Sequence, residues 1–237
     1  MNYLVVDAFN FTLAAYSVAM YRQVPPEEFV GTFNNILRNM IRKLQSTFSG
    51  YDYYVVWDTW GGTKFRKEQY SDYKATRDPS KTDFESVRAC SSIYEDFGFT
   101  NVYVPECEAD DAIFVLCKLL KKEDNKVVIV TRDHDLLQVV QNGYADGVWD
   151  NTKKSYLEAP SYSVVDMKAL VGDGADNIKG VPGIGKVTAM KILTGFKTLT
   201  EEQKKEFERC KDVIDATRHP RFEENLEYVR NNYIKNI

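Results

Sequence analysis

Four short apolar runs, each long enough for a buried strand, lead into acid. Residues 3–6 run into Asp7 and residues 53–57 into Asp58. Residues 101–104 lead to Glu108, Asp110 and Asp111, and residues 126–131 lead to Asp133 and Asp135. A weaker run lies near 144–149. Between the runs, segments 27–48, 84–97 and 110–121 carry apolar residues at helical spacing. Strands alternating with helices predict a mostly parallel sheet covered on both faces. In such a sheet the carboxyl ends of the strands share one edge, where open α/β folds build their sites.

After about residue 160 the strand pattern stops. Segments 163–171, 185–193, 201–217 and 221–234 predict helices, punctuated by Pro160 and by Gly180-Val181-Pro182-Gly183. The expected division is an α/β core over 1–160 and a helical region over 161–237 that shares its core. Within it, Asp173 and Asp176 approach the same edge.

Carboxylates brought together repel one another and are costly to desolvate unless a cation resolves the charge. All-oxygen ligands select a hard divalent ion, Mg²⁺ or Mn²⁺. Two such ions ~3.5–4 Å apart clamp the attacking and leaving oxygens of a phosphodiester. The local alternative is that an Asp after a strand caps the next helix. Five groups of acids on one edge favour the metal site.

The net charge of −4 argues against a polyanion partner until it is partitioned. Setting aside Asp7, Asp58, Glu108, Asp110, Asp111, Asp133, Asp135, Asp173 and Asp176 leaves 26 acids against 31 Lys and Arg. The rest of the chain is mildly basic, which suits a polyanion bound around an acidic pocket. Segment 64–77 concentrates that charge: Lys64, Arg66, Lys67, Lys74 and Arg77 are interleaved with Phe65, Tyr70 and Tyr73. Cations neutralise phosphates and aromatic rings stack on unpaired bases. Lys179 and Lys186 flank Gly180, Gly183 and Gly185, a turn whose backbone N–H groups suit a phosphate. The same stretch mimics a P-loop, but Val187 stands where Ser or Thr is needed and no strand precedes it.

Four cysteines without a CxxC pair, and two histidines, argue against a zinc site. The sequence has no apolar run near the ~18–20 residues of a membrane span and no basic, apolar leader. A cytoplasmic setting with reduced thiols is expected.

Taken in order, Val5-Val6-Asp7, Val56-Trp57-Asp58, Phe65-Arg66, Tyr73-Lys74-Ala75-Thr76-Arg77, Glu108-Ala109-Asp110-Asp111, Thr131-Arg132-Asp133-His134-Asp135 and Gly172-Asp173-Gly174-Ala175-Asp176-Asn177 followed by Gly180–Lys186 resemble the flap endonuclease or 5′-nuclease family. That family includes the 5′-nuclease domain of bacterial DNA polymerase I and the small phage 5′–3′ exonucleases. The resemblance runs from Asp7 to about Leu193.

It implies a PIN-like α/β fold with a helical arch, here within segment 61–100, and a helix-three-turn-helix that clamps duplex DNA. Asp7, Asp58, Glu108, Asp110 and Asp111 match one metal cluster, directly or through water, and Asp133, Asp135, Asp173 and Asp176 match the other. Lys74 and Arg77 match basic residues that contact the scissile phosphate. The implied cofactors are two Mg²⁺, replaceable by Mn²⁺, with a monovalent cation at the clamp. The implied substrate is DNA with 5′ ends, flaps or branches, and RNA–DNA hybrids fall within the same chemistry. A monomer working beside a polymerase or a single-strand-binding protein, in a bacterial or phage-infected cytoplasm, is expected. The short interval from Arg77 to Glu108 implies a modest arch. The competing readings are a branched-DNA binder that does not cut, and a haloacid-dehalogenase-like phosphatase, which Phe9 disfavours because that chemistry wants an Asp there.

Overall fold

The computed structural model describes residues 1–77 and 84–234. The part of the expected arch that falls on 78–83 lies outside the described residues, as do the last three residues of the expected helical region. Six strands form one sheet: β1 (Asn2–Asp7), β2 (Asp52–Trp57), β3 (Thr100–Tyr103), β4 (Lys126–Val130), β5 (Gly147–Asp150) and β6 (Ser155–Tyr156). Their spatial order is β3-β2-β1-β4-β5-β6. The first five are parallel, and the two-residue β6, which the sequence pattern did not reveal, pairs antiparallel to β5.

The chain winds outward from β1 through β2 to β3, then crosses back to lay β4 on the other side of β1. The strand order reverses at β1 and β4, so the crevice of the fold opens above their carboxyl ends. The register places Val6 beside Val130, which leaves Asp7 and Thr131 at that rim.

The twofold period of the strands sorts their side chains onto two faces. Tyr3, Val5, Tyr54, Val56, Val127 and Ile129 join the core made with α6 (Ala109–Leu120) and α11 (Phe222–Tyr233). Leu4, Val6, Val55, Trp57, Val128 and Val130 join the core made with α1 (Ala8–Tyr21), α2 (Pro26–Thr47) and α5 (Ser91–Asp96). Each fully buried Val or Leu contributes roughly 1.5–3 kcal/mol.

Helix α1 escaped the sequence pattern because it is apolar nearly all round, with Phe9, Phe11, Ala15 and Ala19 buried and Val18 and Met20 exposed. The expected helix over 84–97 is two pieces, α4 (Phe84–Arg88) and α5. Tight i→i+3 bonds from Cys90 N–H to Val87 O and from Ile93 N–H to Cys90 O interrupt it.

Segment 64–77 contains a short helix, α3 (Lys64–Gln69), followed by turns. Past α7 (Leu137–Gln141) come α8 (Val164–Val171), α9 (Lys186–Leu193) and α10 (Glu201–Ile214). The expected helix 201–217 ends at Ile214, where the Asp215 side chain caps a 3-10 turn over Ala216–Arg218. The P-loop look-alike follows turns rather than a strand and opens α9. Among the described residues no helix is long and apolar enough to cross a membrane.

Candidate active site

The carboxyl ends of β1, β2 and β4 deliver their acids to one cleft of about 290 Å³. It is lined by Asp7, Asp58, Lys74, Arg77, Asp110, Asp133, Asp135, Lys168, Asp173 and Asp176. A larger hollow of about 520 Å³ lies beside Pro160–Ser163. Among the described residues that line it, the charged ones are Asp166, Lys211 and Asp215, with Lys211 and Asp166 paired at 2.7 Å, whereas the smaller cleft gathers the strand-end acids.

The capping expectation is also true, for one oxygen at a time. Asp7 Oδ1 accepts the Asn10 N–H at 3.1 Å, capping α1, while Oδ2 accepts the Thr131 hydroxyl at 2.9 Å. Asp133 Oδ1 accepts Asp135 N–H at 2.9 Å. Asp58 Oδ1 accepts the Ala109 N–H at 3.0 Å, at the start of α6. These bonds fix each carboxylate in orientation without supplying a positive charge.

Asp173 and Asp176 arrive on a hairpin closed by Asp173 N–H to Ile178 O at 2.7 Å and Ile178 N–H to Asp173 O at 2.8 Å. Gly172 starts it at φ +92, where a Cβ would lie 2.6 Å from the Ile178 carbonyl oxygen. Lys74 N–H donates to Asp176 O at 2.9 Å, and Asn177 Nδ2 donates to Asp72 O at 2.8 Å. The hairpin is thereby bolted to the basic segment.

The acids divide by charge. Among the described residues Asp7, Asp58, Asp110 and Asp133 make no ion pair with a cation. Burial, with Asp58 nearby, pushes Asp7 up to about 7 against the pull of its hydrogen bonds. Burial raises Asp58. Burial together with Asp133 and Asp7 raises Asp110 well above the usual carboxylate range.

The others are neutralised by the chain. Arg66 Nη1 bonds Glu108 Oε2 and Asp111 Oδ2, both at 2.6 Å, and its Nη2 bonds Asp111 Oδ1 at 2.7 Å. Lys74 pairs with the other Glu108 oxygen, Oε1. Burial pushes Glu108 up, but Lys74 and Arg66 outweigh it and hold the carboxyl at about 2. Lys168, near the end of α8, bridges Asp135 and Asp173, its Nζ 2.6 Å from Asp173 Oδ2. Burial and Asp133 lift Asp135 to about 6 against that pull, whereas at Asp173 the Lys168 ammonium outweighs burial and lowers the carboxyl. Arg77 Nη2 bonds Asp176 Oδ1 at 2.6 Å. Asp135, Asp173 and Asp176 bring one oxygen each within 4.8 Å of one another, a spacing that suits a shared cation.

Several expected contacts stand elsewhere. Arg66, expected on DNA, is buried, and its Nε bonds the Val213 carbonyl at 2.8 Å. Tyr70 and Tyr73, expected to stack on bases, are buried with Ala169, Ile178, Cys210 and Val213. Their hydroxyls serve the frame: Tyr70 accepts from Lys179 N–H at 3.1 Å, and Tyr73 donates to Glu108 Oε2 at 3.0 Å. Gly180 is buried, and a Cβ there would lie 2.3 Å from Gly172 N, so close packing requires the glycine. Glu108 and Asp111, buried against Arg66, do not line the 290 Å³ cleft, and Asp111 lines a small adjoining hollow with Asp110, Asp135, Asp173 and Asp176. Lys64, Lys179, Gly183, Gly185 and Lys186 are exposed.

The sequence reading missed Lys168, Thr131 and His219. Only the position of Lys168, one turn before the Gly172 hairpin, hinted at its role. His219 is buried, with Nδ1 accepting Arg221 N–H at 3.2 Å and Nε2 4.0 Å from Asp111 Oδ2; burial lowers its pKa.

Comparison with known proteins agrees along the whole length. The family model of the 5′–3′ exonuclease N-terminal, resolvase-like domain matches residues 2–165, and that of the 5′–3′ exonuclease C-terminal SAM fold matches residues 159–233. A 5′–3′ exonuclease of Buchnera aphidicola is 31% identical over 214 residues, covering 84% of this chain and 68% of that protein. The thermostable DNA polymerase I of Thermus thermophilus is 36% identical over 170 residues, covering 67% of this chain; the match spans 20% of the polymerase. A structure of the T5 5′-exonuclease with bound zinc superposes with a TM-score of 0.71 at 19% identity, covering 98% of this chain and 99% of that one. The chain belongs to the 5′–3′ exonuclease family.

Proposed function

We propose that the protein is a divalent-metal-dependent 5′-nuclease that hydrolyses DNA phosphodiesters at 5′ ends, flaps and branches. One observation carries the reading: Asp7, buried, and Asp58, Asp110 and Asp133, half-buried, converge from separate strands and a helix start, and among the described residues none of them forms an ion pair, although Lys74 and Arg77 line the same cleft. Buried unpaired charge of one sign is expensive. An all-oxygen donor set of this charge fits a hard ion, Mg²⁺ with Mn²⁺ as a substitute. In this reading Asp7, Asp58, Asp110 and Asp133 hold metal directly. Asp135, Asp173 and Asp176 hold a second ion once Lys168 and Arg77 give way, and Glu108 and Asp111 hold the frame. Residues 1–160 supply most of the chemistry, and the helical region adds Asp173 and Asp176 to it together with the clamp.

When bound, the divalent ions supply an acidified water and neutralise charge on the leaving oxygen. The chain's own residues do the rest. Lys74 and Arg77 line the cleft and present cations to the phosphoryl oxygens of the scissile phosphate. The Lys74 backbone, held at φ +54 and bonded to the Asp176 carbonyl, fixes where its side chain begins. Lys186 and the exposed backbone at Gly183 and Gly185, entering α9, take duplex phosphates without reading sequence. The Thr131 hydroxyl keeps Asp7 aimed into the cleft.

Divalent ions bound to a T5 5′-exonuclease, and a complex of a bacteriophage T5 flap endonuclease with DNA and metal ions, support the metal and the substrate by fold likeness. The test is a 5′-labelled flap duplex incubated with Mg²⁺ or EDTA, beside a blunt duplex. Mg²⁺-dependent cutting near the junction is expected. Tight binding without cutting in any divalent metal would favour the non-cleaving binder instead.

A further inference from the structure

Trp60 is 89% exposed, whereas Trp57 is fully buried and Trp149 packs between Phe48 and Tyr156. Among the described residues its indole makes no hydrogen bond, ring contact or cation contact. Yet the turn that carries it is fixed at several points. Thr59 N–H donates to Cys107 O at 3.1 Å, and the Thr59 hydroxyl donates to Val104 O at 2.6 Å and accepts Cys107 N–H at 2.9 Å. Gly62 N–H returns to Thr59 O at 3.2 Å, and a Cβ on Gly62 would lie 2.7 Å from the Cys107 carbonyl carbon. A large apolar ring is thus held out in water on a turn that does not yield to let it fold back.

Its place gives the ring a use. Asp58 lines the cleft, and two residues of chain span at most about 7 Å, so the Trp60 backbone stands within that distance of a cleft acid. Lys64 and Lys67 follow on α3, both exposed, and the Arg88 guanidinium donates to the Asp58 carbonyl at 3.1 Å. An exposed aromatic ring two residues from a cleft acid, with Lys64 and Lys67 following it in the chain, matches a single-stranded nucleic acid: cations track its backbone and the ring stacks on a base.

We propose that Trp60 stacks on an unpaired nucleobase of the substrate's single-stranded 5′ arm, close to the scissile phosphate. The proposal rests on the nuclease reading above. Stacking of this kind tolerates any base and favours substrates that carry an arm over those that end at a nick.

The test measures binding in Ca²⁺ of a duplex with a short 5′ arm and of the same duplex nicked without an arm, by anisotropy and by tryptophan emission. Trp60→Ala is expected to weaken binding of the armed duplex by about 5- to 150-fold, the worth of one stacked base. Trp60→Phe is expected to recover most of that. The slope of log affinity against log salt is expected to stay as in wild type, since no phosphate contact is lost. Emission of the wild type should be quenched by the armed duplex, and this quench should vanish in Trp60→Phe.

Equal binding of the armed duplex by wild type and Trp60→Ala overturns the proposal. So does an equal quench by the nicked duplex, which would place the ring on the duplex instead. Far-UV circular dichroism of Trp60→Ala excludes a folding loss. Wild-type cleavage of the armed duplex in Mg²⁺ is scored separately. Absent cleavage with intact stacking overturns the nuclease reading, and cleavage with unchanged Trp60→Ala binding overturns the stacking alone.

Discussion

Around the Arg66 guanidinium and along the cleft floor, acids are handled in opposite ways. Glu108 and Asp111 share the Arg66 guanidinium, and against burial Lys74 and Arg66 together hold the Glu108 carboxyl at about 2. Asp7, Asp58 and Asp110 form no ion pair among the described residues; burial raises all three, Asp7 to about 7, and at Asp58 and Asp110 it outweighs the pull of Lys74. The first arrangement is a frame: it ties α3 to α6 and, through the Val213 carbonyl, to the end of α10. The second is charge without an ion-paired partner among the described residues, which the proposed divalent ion would complete. The Asp135–Asp173–Lys168 group is intermediate, since its cation belongs to the chain but sits on a long side chain able to leave.

Asp110→Asn should break the open half most severely. Mg²⁺-dependent cleavage is expected to fall by about 10³-fold or more, the several kcal/mol that metal-assisted chemistry supplies. The same variant should melt higher than wild type in EDTA, because a buried repulsion is removed; single-turnover cleavage and a thermal melt check the two halves.

Arg66→Met breaks the frame instead. It leaves Glu108 and Asp111 buried beside a missing partner, and a loss of about 3–5 kcal/mol is expected in urea unfolding. A loss under 1 kcal/mol would show that the pair is not held as described.

The intermediate group is sharpened by Lys168→Met. Removing the resident ammonium should tighten binding of a second Mn²⁺ by about tenfold in calorimetry while lowering stability in EDTA, a modest effect because the pair is partly exposed. Unchanged Mn²⁺ binding would mean that Lys168 does not compete for those oxygens.

The open half also shows itself in pH dependence. A carboxyl raised from 3.8 to about 7 in the folded protein gives stability that is full below pH 3.8 and lost as pH rises through about 7. Asp135, at about 6, acts in the same direction. Metal-free protein should therefore lose melting temperature between about pH 4 and 7 from these groups, and Mg²⁺ should reverse the loss. Glu108 acts the other way: its contribution is present above its unfolded value of 4.5 and is lost as pH falls through about 2. Flat melting between pH 4 and 7 in EDTA would contradict this account of the cleft acids.

Much of this was legible in the chain because strand endings are local. Alternating apolar runs and the acids after Val6, Trp57 and Thr131 located the sheet edge and the cleft. Helix α1 was hidden because a helix buried on most sides has no polar stripe to mark its period. The role of Arg66 was hidden for a different reason: an Arg among lysines and tyrosines reads as a polyanion contact, and only the fold shows Asp111 and Glu108 against it. Tyr70 and Tyr73 were misjudged likewise, since an aromatic ring looks the same in sequence whether it stacks on a base or fills a small core. Lys168 comes near Asp135 from 33 residues away, a pairing no local pattern encodes.

The most direct test of the account is a crystal structure with Mn²⁺, read by anomalous scattering. It should place an ion against Asp7, Asp58 or Asp110, with Asp111 still bonded in two places to Arg66. An ion held directly by Asp111, with Arg66 turned away, would contradict the division between frame and cleft.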